Sequence, residues 1–335
     1  MNYLISQSNL LKLINSFRKD HTIFAPVKVG KSDYQFAKNP DSSEIVFRYP
    51  LTILPPKKVF LPPKELLLKR SKSGQLEELL PQASDRTLLF GVHLVDIHGI
   101  LYLDKSLEEP FVDEYYRRRR ANTVIIGISD CQQNKYLAET LAPDVQEGFD
   151  LYLEPISDSE YLAIVGSPIG QKLVGSKFFQ ETQIHQGKVE STRAIDKKDP
   201  DYLAKVIEAT MDSKIWDDLA KQCIACGICS YVCPVCYCTD TVDSMDLADS
   251  SCKRCRNWGA CMLPEFAKMA GGVDPRPSLK ERYRNWYYHK FVRWAREYGV
   301  LGCVGCGRCV KYCPAGINYV EVLEKLEEEY KNKSR

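Results

Sequence analysis

The chain has 335 residues, 44% of them hydrophobic, and a formal net charge of +2. That length allows two domains with buried cores, and the near balance of charge offers nothing to nucleic acid or an anionic membrane as a partner. No run approaches the roughly 18 apolar residues of a membrane span, and the first residues lack the basic start, apolar core and cleavage site of a signal peptide, so the chain is expected to be cytoplasmic.

In chain order, MNYLISQSNLLKLINSF places Leu4, Leu10, Leu11, Ile14 and Phe17 at helical spacing, which predicts an amphipathic surface helix. GKS at 30–32 lacks the upstream glycine of a phosphate loop, and no GxGxxG occurs, so no nucleotide site is expected. ILPPKKVFLPPKE carries two Pro-Pro pairs and predicts an extended surface crossing. TLLFGVHLVDI, NTVIIGIS, DLYLEP and YLAIVGS are apolar runs bounded by turn residues, and read as strands. Asp96 and His98, in HLVDIHG at the end of the first of these runs, form a minor candidate for an acid–base pair. Arg117 to Arg120 follow DEYY and read as a solvated or ion-paired face. Cys131 stands alone, either structural or an outlying ligand. The polar stretch QGKVESTRAIDKKDP then marks a boundary between a mixed α/β domain over 1–190, expected to serve as scaffold and subunit contact, and a second domain over 200–335.

The second domain reads as mainly helical. PDYLAKVIEATM and KIWDDLAKQ predict helices leading into the first cysteine group. SLKERYRNWYYHKFVRWAREYG has the clearest signal, with a Ser278/Glu281 capping box and Gly299 to end it. Leu279, Tyr283, Trp286, Tyr287, Phe291, Trp294 and Tyr298 share one face of it, which reads as core. YVEVLEKLEEEYKNK predicts a last helix. The fold class is therefore α+β, a mixed α/β domain followed by an α-helical ferredoxin-like one.

Fourteen cysteines are present, and all but Cys131 lie between Cys223 and Cys313. A secreted disulfide framework spreads its cysteines, whereas this crowding points to metal. CIACGICSYVCP and CVGCGRCVKYCP repeat one spacing, C-x2-C-x2-C-x3-C-P, the ligand pattern of a 4Fe–4S cluster. Three closely spaced thiolates on a tight loop reach three corners of a cubane, and glycines at 227 and 307 let the backbone curl. In two-cluster proteins the fourth cysteine of each run serves the other cluster. The expected sets are Cys223, Cys226, Cys229 and Cys313 for one, and Cys303, Cys306, Cys309 and Cys233 for the other. Zinc sites are the alternative, although zinc typically uses two CxxC pairs. The long helical stretch between the motifs favours an α-helical ferredoxin arrangement, like that of succinate dehydrogenase iron–sulfur subunits.

Five cysteines remain: Cys236, Cys238, Cys252, Cys255 and Cys261. Cys236 and Cys238, two apart, face one way if extended, and Cys252 with Cys255 has the spacing of a metal-binding loop. Four of the five could hold a third 4Fe–4S cluster; a structural zinc and unliganded buried thiols remain open. Lys253, Arg254 and Arg256 would either offset a cluster's negative charge or solvate a loop.

The segments TILPPKK, FGVHLVDIHGILYLD, DEYYRRRRAN, EGFDLYL, CSYVCPVCYC, DPRPSLKERYRNWYYHK and GCVGCGRCVKYCPAGI together resemble the β subunits of cytosolic NAD(P)-linked NiFe hydrogenases (sulfhydrogenases) and the related A subunit of anaerobic sulfite reductase. The resemblance covers most of the chain. It implies a non-catalytic electron conduit beside a flavin-containing NAD(P)H-binding subunit, connecting to the NiFe hydrogenase large and small subunits. The same role in a sulfite reductase or a tungsten-dependent aldehyde oxidoreductase is the alternative, and a zinc-stabilised binding scaffold is a second. Members of the family often carry cysteine at the position of Val95 and a CFC group downstream of Cys131; this chain has neither.

Overall fold

The computed structural model describes residues 2–129, 147–184, 199–248 and 251–333. Twelve strands are present among them: β1 (Asn2–Ser6), β2 (Thr22–Val29), β3 (Asp33–Lys38), β4 (Lys64–Arg70), β5 (Leu76–Glu78), β6 (Thr87–Val92), β7 (Thr123–Ile128), β8 (Leu151–Pro155), β9 (Glu160–Val165), β10 (Gln180–Thr182), β11 (Thr239–Met245) and β12 (Cys252–Trp258). The chain divides into two compact units, Met1–Pro62 with Glu78–Thr192, and Pro63–Glu77 with Arg193–Arg335. The fold is α+β, as expected.

The first unit is built on an eight-stranded mixed sheet in the order β10-β1-β9-β8-β7-β6-β2-β3. Strands β2, β6, β7 and β8 run parallel at its centre, and antiparallel strands flank them. All six residues of β7 are buried, as a strand covered on both faces requires. Leu10, Ile14, Ile23, Leu88, Phe90, Ile126 and Leu151 belong to this core.

Three expectations change here. The N-terminal run is a strand followed by a helix over Gln7–Phe17, because the Ser6 hydroxyl accepts from the Asn9 amide and starts the helix there. TLLFGVHLVDI ends as a strand at Val92; a helix over Leu94–Glu108 follows, and Asp96 and His98 are buried in its N-terminal part. ILPPKKVFLPPKE is not a surface crossing. Its first Pro pair opens a one-turn helix, Lys57–Phe60, with Val59, Phe60 and Leu61 buried, since proline suits the first turn where amides need no partner. The arginine run lies on a helix over Glu114–Ala121 and is ion-paired: Arg117 and Arg118 to Glu114, each at 2.7 Å, and Arg120 to Asp104 at 3.2 Å. Cys131 lies outside the described residues.

The second unit has a helical core and a small sheet. Helices over Pro200–Ala209, Ile215–Gln222, Leu279–Tyr288, Trp294–Tyr298 and Tyr319–Lys333 supply Leu203, Trp216, Trp286, Tyr287, Ala295 and Leu323 to one cluster of buried side chains, which Phe291 joins from the turn between the third and fourth. The capping box at Ser278 and Glu281 forms, and Gly299 ends the last turn with φ at 69°. The long helix is interrupted by a π turn over His289–Arg293. The sheet has the order β11-β12-β4-β5. Segment 63–77, which chain order places in the first domain, therefore belongs to the second unit. A buried pair holds it there, with Arg256 Nη2 2.6 Å from Glu65 Oε2.

Candidate functional site

Each cysteine run folds as a tight loop followed by one helical turn, Ile228–Tyr231 in the first and Arg308–Lys311 in the second. Gly227 and Gly307 precede these turns with φ of 75° and 70°, the left-handed region that glycine enters without strain. A Cβ on Gly227 would also meet Ala260 Cβ at 2.8 Å. The curled backbone turns amides toward sulfur: Ala225 N donates to Cys223 Sγ at 3.4 Å, Gly305 N to Cys303 Sγ at 3.4 Å, and Ile317 N to Cys313 Sγ at 3.3 Å. The two short helical turns pack against each other, which brings the two runs face to face.

Two cavities result. One, with about 480 Å³ of empty space counting its mouth, is lined by Cys223, Cys226, Cys229 and Cys313. The other, with about 310 Å³, is lined by Cys233, Cys303, Cys306 and Cys309. The fourth cysteine of each run thus reaches across to the other run's cavity. Trp286, Tyr319 and Cys309 line both, so the cavities share a wall. Among the described residues no group of three or more His, Cys, Asp or Glu converges as a single metal ion would require; the thiols instead ring a space.

Burial and crowding favour the neutral thiols over the thiolates at this site. Burial, helped by the neighbouring thiols and opposed by the Lys290 charge, pushes the Cys229 thiol up to about 12. Burial also raises Cys303 and Cys309, and in Cys303 the Lys290 charge works against it. Protons held this tightly by mutual repulsion and desolvation are released when a metal takes the sulfurs. The indole N–H of Trp286, on the shared wall, is buried and finds no acceptor among the described residues. A sulfide-rich group in either cavity would supply acceptors. Four thiols at the second cavity, four at the first besides the shared Cys309, amide donors at sulfur and an orphaned buried donor all suit a 4Fe–4S cluster.

Lys290 is the functional residue that sequence reasoning missed. It sits in the π turn, 4% exposed. Its Nζ lies 3.3 Å from Cys233 Sγ, donates to Gly302 O at 3.1 Å, and stands 5.2 Å from the centre of the Trp286 ring. Burial opposes its charge, but Cys233, Cys236 and Cys303 outweigh this and hold the ammonium well above the usual lysine range. A lysine flanked by tyrosines and phenylalanine on a core helix was the available signal.

The five surplus cysteines do not assemble as one group. Cys238 and Cys261 are hydrogen-bonded to each other, with Ser230 Oγ 3.8 Å from Cys261 Sγ, and Cys236 is hydrogen-bonded to Cys233. Cys252 and Cys255 are not on a loop. Both lie in β12, which is paired with β11 on one side and β4 on the other, and that ladder holds the backbone extended where a metal loop must curl. The ribbon's base is near Cys238, whose carbonyl accepts from Gly259 N at 2.9 Å. At about 3.4 Å per residue, Cys255 lies about 10 Å up the strand from Trp258 and Cys252 about 20 Å. The flanking cations are engaged locally, Arg254 with Asp243 at 2.7 Å and Arg256 with Glu65.

Residues 222–317 match the 4Fe-4S dicluster domain family, so the second unit contains a dicluster iron–sulfur domain. The chain is 33% identical over 328 residues to sulfhydrogenase 2 subunit beta of Pyrococcus furiosus, with 95% of this chain and 96% of that protein covered. It belongs to the sulfhydrogenase β-subunit family. No solved structure matches the chain. No helix among the described residues is long and apolar enough to cross a membrane.

Proposed function

We propose that the chain is the electron-transfer subunit of a cytoplasmic multi-subunit hydrogenase, with one 4Fe–4S cluster on Cys223, Cys226, Cys229 and Cys313 and another on Cys233, Cys303, Cys306 and Cys309. The observation that carries this reading is the pair of cysteine-lined cavities, each bordered by the fourth cysteine of the other run, with a common wall. Each cluster supplies a centre that takes up and releases one electron at a time. The chain's own residues do the rest. Eight thiolates hold the metal, and the amides of Ala225, Gly305 and Ile317 stabilise charge on sulfur. Tyr283, Trp286, Phe291 and Tyr319 pack beside them and exclude water.

The proposed partners are a flavin-containing NAD(P)H-binding subunit and the NiFe large and small subunits, with the first unit as scaffold and contact surface. The relative's name supports a hydrogenase. Anaerobic purification should yield about eight iron and eight sulfide per chain, from two 4Fe–4S cubanes, and a reducible EPR signal. Zinc without iron would overturn the reading. About twelve iron would add a third cluster, for which Cys238 and Cys261 are the nucleus. Co-purification with a molybdopterin or sirohaem subunit in place of the NiFe pair would assign the same conduit to another oxidoreductase.

A further inference from the structure

The two proposed sites differ in their cations. Lys290 contacts both runs at the second site, through Cys233 Sγ at 3.3 Å and through the carbonyl of Gly302, the residue before Cys303. It also lines that cavity. At the first cavity no cation touches a ligand sulfur among the described residues: Lys290 acts on Cys229 only through its field, and Arg282 acts on Cys223 as the weakest of several influences. Its guanidinium is engaged by three backbone carbonyls, those of Met262 at 3.0 Å, Arg276 at 3.2 Å and Pro277 at 2.7 Å. The loops reinforce the contrast. Position 308 of the second run is a buried arginine, and its counterpart in the first is Ile228.

Reduction adds one negative charge to a cluster. A fixed cation in contact with a ligand stabilises the reduced form more than the oxidised form, and the low dielectric of a buried site enlarges the difference. Resting on the two-cluster reading above, we propose that Lys290 makes the cluster on Cys233, Cys303, Cys306 and Cys309 the more readily reduced of the two, so that an electron entering the pair comes to rest there. The electron comes from the flavin of the partner subunit, or in the test below from dithionite; no proton or bond changes hands at Lys290. Lys290 is a positioning and tuning residue, since it acts through the ligand sulfur.

The test is an EPR-monitored redox titration of the anaerobically purified full chain, in its complex where one co-purifies. Dithionite serves as reductant, and iron is counted in every sample. A Cys306→Ser variant marks which signal belongs to the second site. The expected result is two midpoints, with the Cys306-sensitive one more positive by at least tenfold in the reduction equilibrium, about 59 mV for one electron. Lys290→Met lowers that midpoint by at least the same factor and moves the other less, whereas Lys290→Arg keeps the wild-type order. The proposal is overturned if the Cys306-sensitive midpoint is equal or more negative in the wild type. It is also overturned if Lys290→Met, with full iron, leaves the midpoint in place. Should Lys290→Met lose iron, the wild-type order alone decides. An iron-free wild-type protein would instead overturn the two-cluster reading.

Discussion

The two cysteine runs share one spacing and live in different surroundings. In the first, Cys226 is exposed and Ile224 beside it is 64% exposed. In the second, Cys306 is buried and Val304, the counterpart of Ile224, is 2% exposed. Lys290 lines the second cavity and touches Cys233, while at the first its charge reaches Cys229 without a contact. Ala225 holds a positive φ of 56° where the second loop has Gly305 at 65°. A repeated motif thus specifies which atoms bind, while the packing around each copy sets how wet and how charged each site is.

The comparison can be tested by perturbing one side at a time. Cysteine replacements carry the largest effects. Cys313→Ala should remove about half of some eight iron atoms, and the signal lost should be the one that Cys226→Ala alters. If it is instead the Cys306-sensitive signal, the exchange of fourth ligands is wrong. Next is the shared wall. Trp286→Ala should cost about 3–5 kcal/mol in thermal or denaturant unfolding and reduce iron at both sites together, since Trp286 lines both cavities. The third contrast is burial. Val304→Ala should cost about 2 kcal/mol, and Ile224→Ala should stay within about 0.5 kcal/mol. The smallest effect concerns backbone strain. A non-glycine residue in the left-handed region costs about 1–2 kcal/mol, partly offset by the unfolded-state freedom of glycine. Gly305→Ala should therefore destabilise by about 1 kcal/mol and Ala225→Gly stabilise by roughly 0.5–1 kcal/mol. Equal responses of the two loops in unfolding experiments would erase this part of the difference.

Much of the second unit was legible because its signals are local. The capping box at Ser278, the stop at Gly299 and the aromatic stripe from Tyr283 to Trp294 all follow from neighbours within a few turns. The curl at Gly227 and Gly307 follows from the need of three close thiolates for a bent backbone. The misreadings came from contacts distant in sequence. Cys252 and Cys255 look like a metal loop until β4, about 190 residues earlier, pairs with them. The run after Phe90 reads as strand until the chain turns into the helix at Leu94. Lys290 drew no reading from the sequence. The π turn at His289–Arg293, and the approach of Cys233 from 57 residues earlier, give it its place.

The sequence by itself determined the α+β class, the two cysteine runs and the donor chemistry they offer, because spacing and residue type are properties of a short stretch of chain. Only the tertiary structure decided that Trp286 and Tyr319 wall both cavities, and that one cavity has a buried ammonium against its sulfur while the other has the exposed Cys226. Those features depend on burial and on which distant residues meet. A charge of the same type acts weakly in water and strongly in a dry site, so the two copies acquire different properties from nearly the same words.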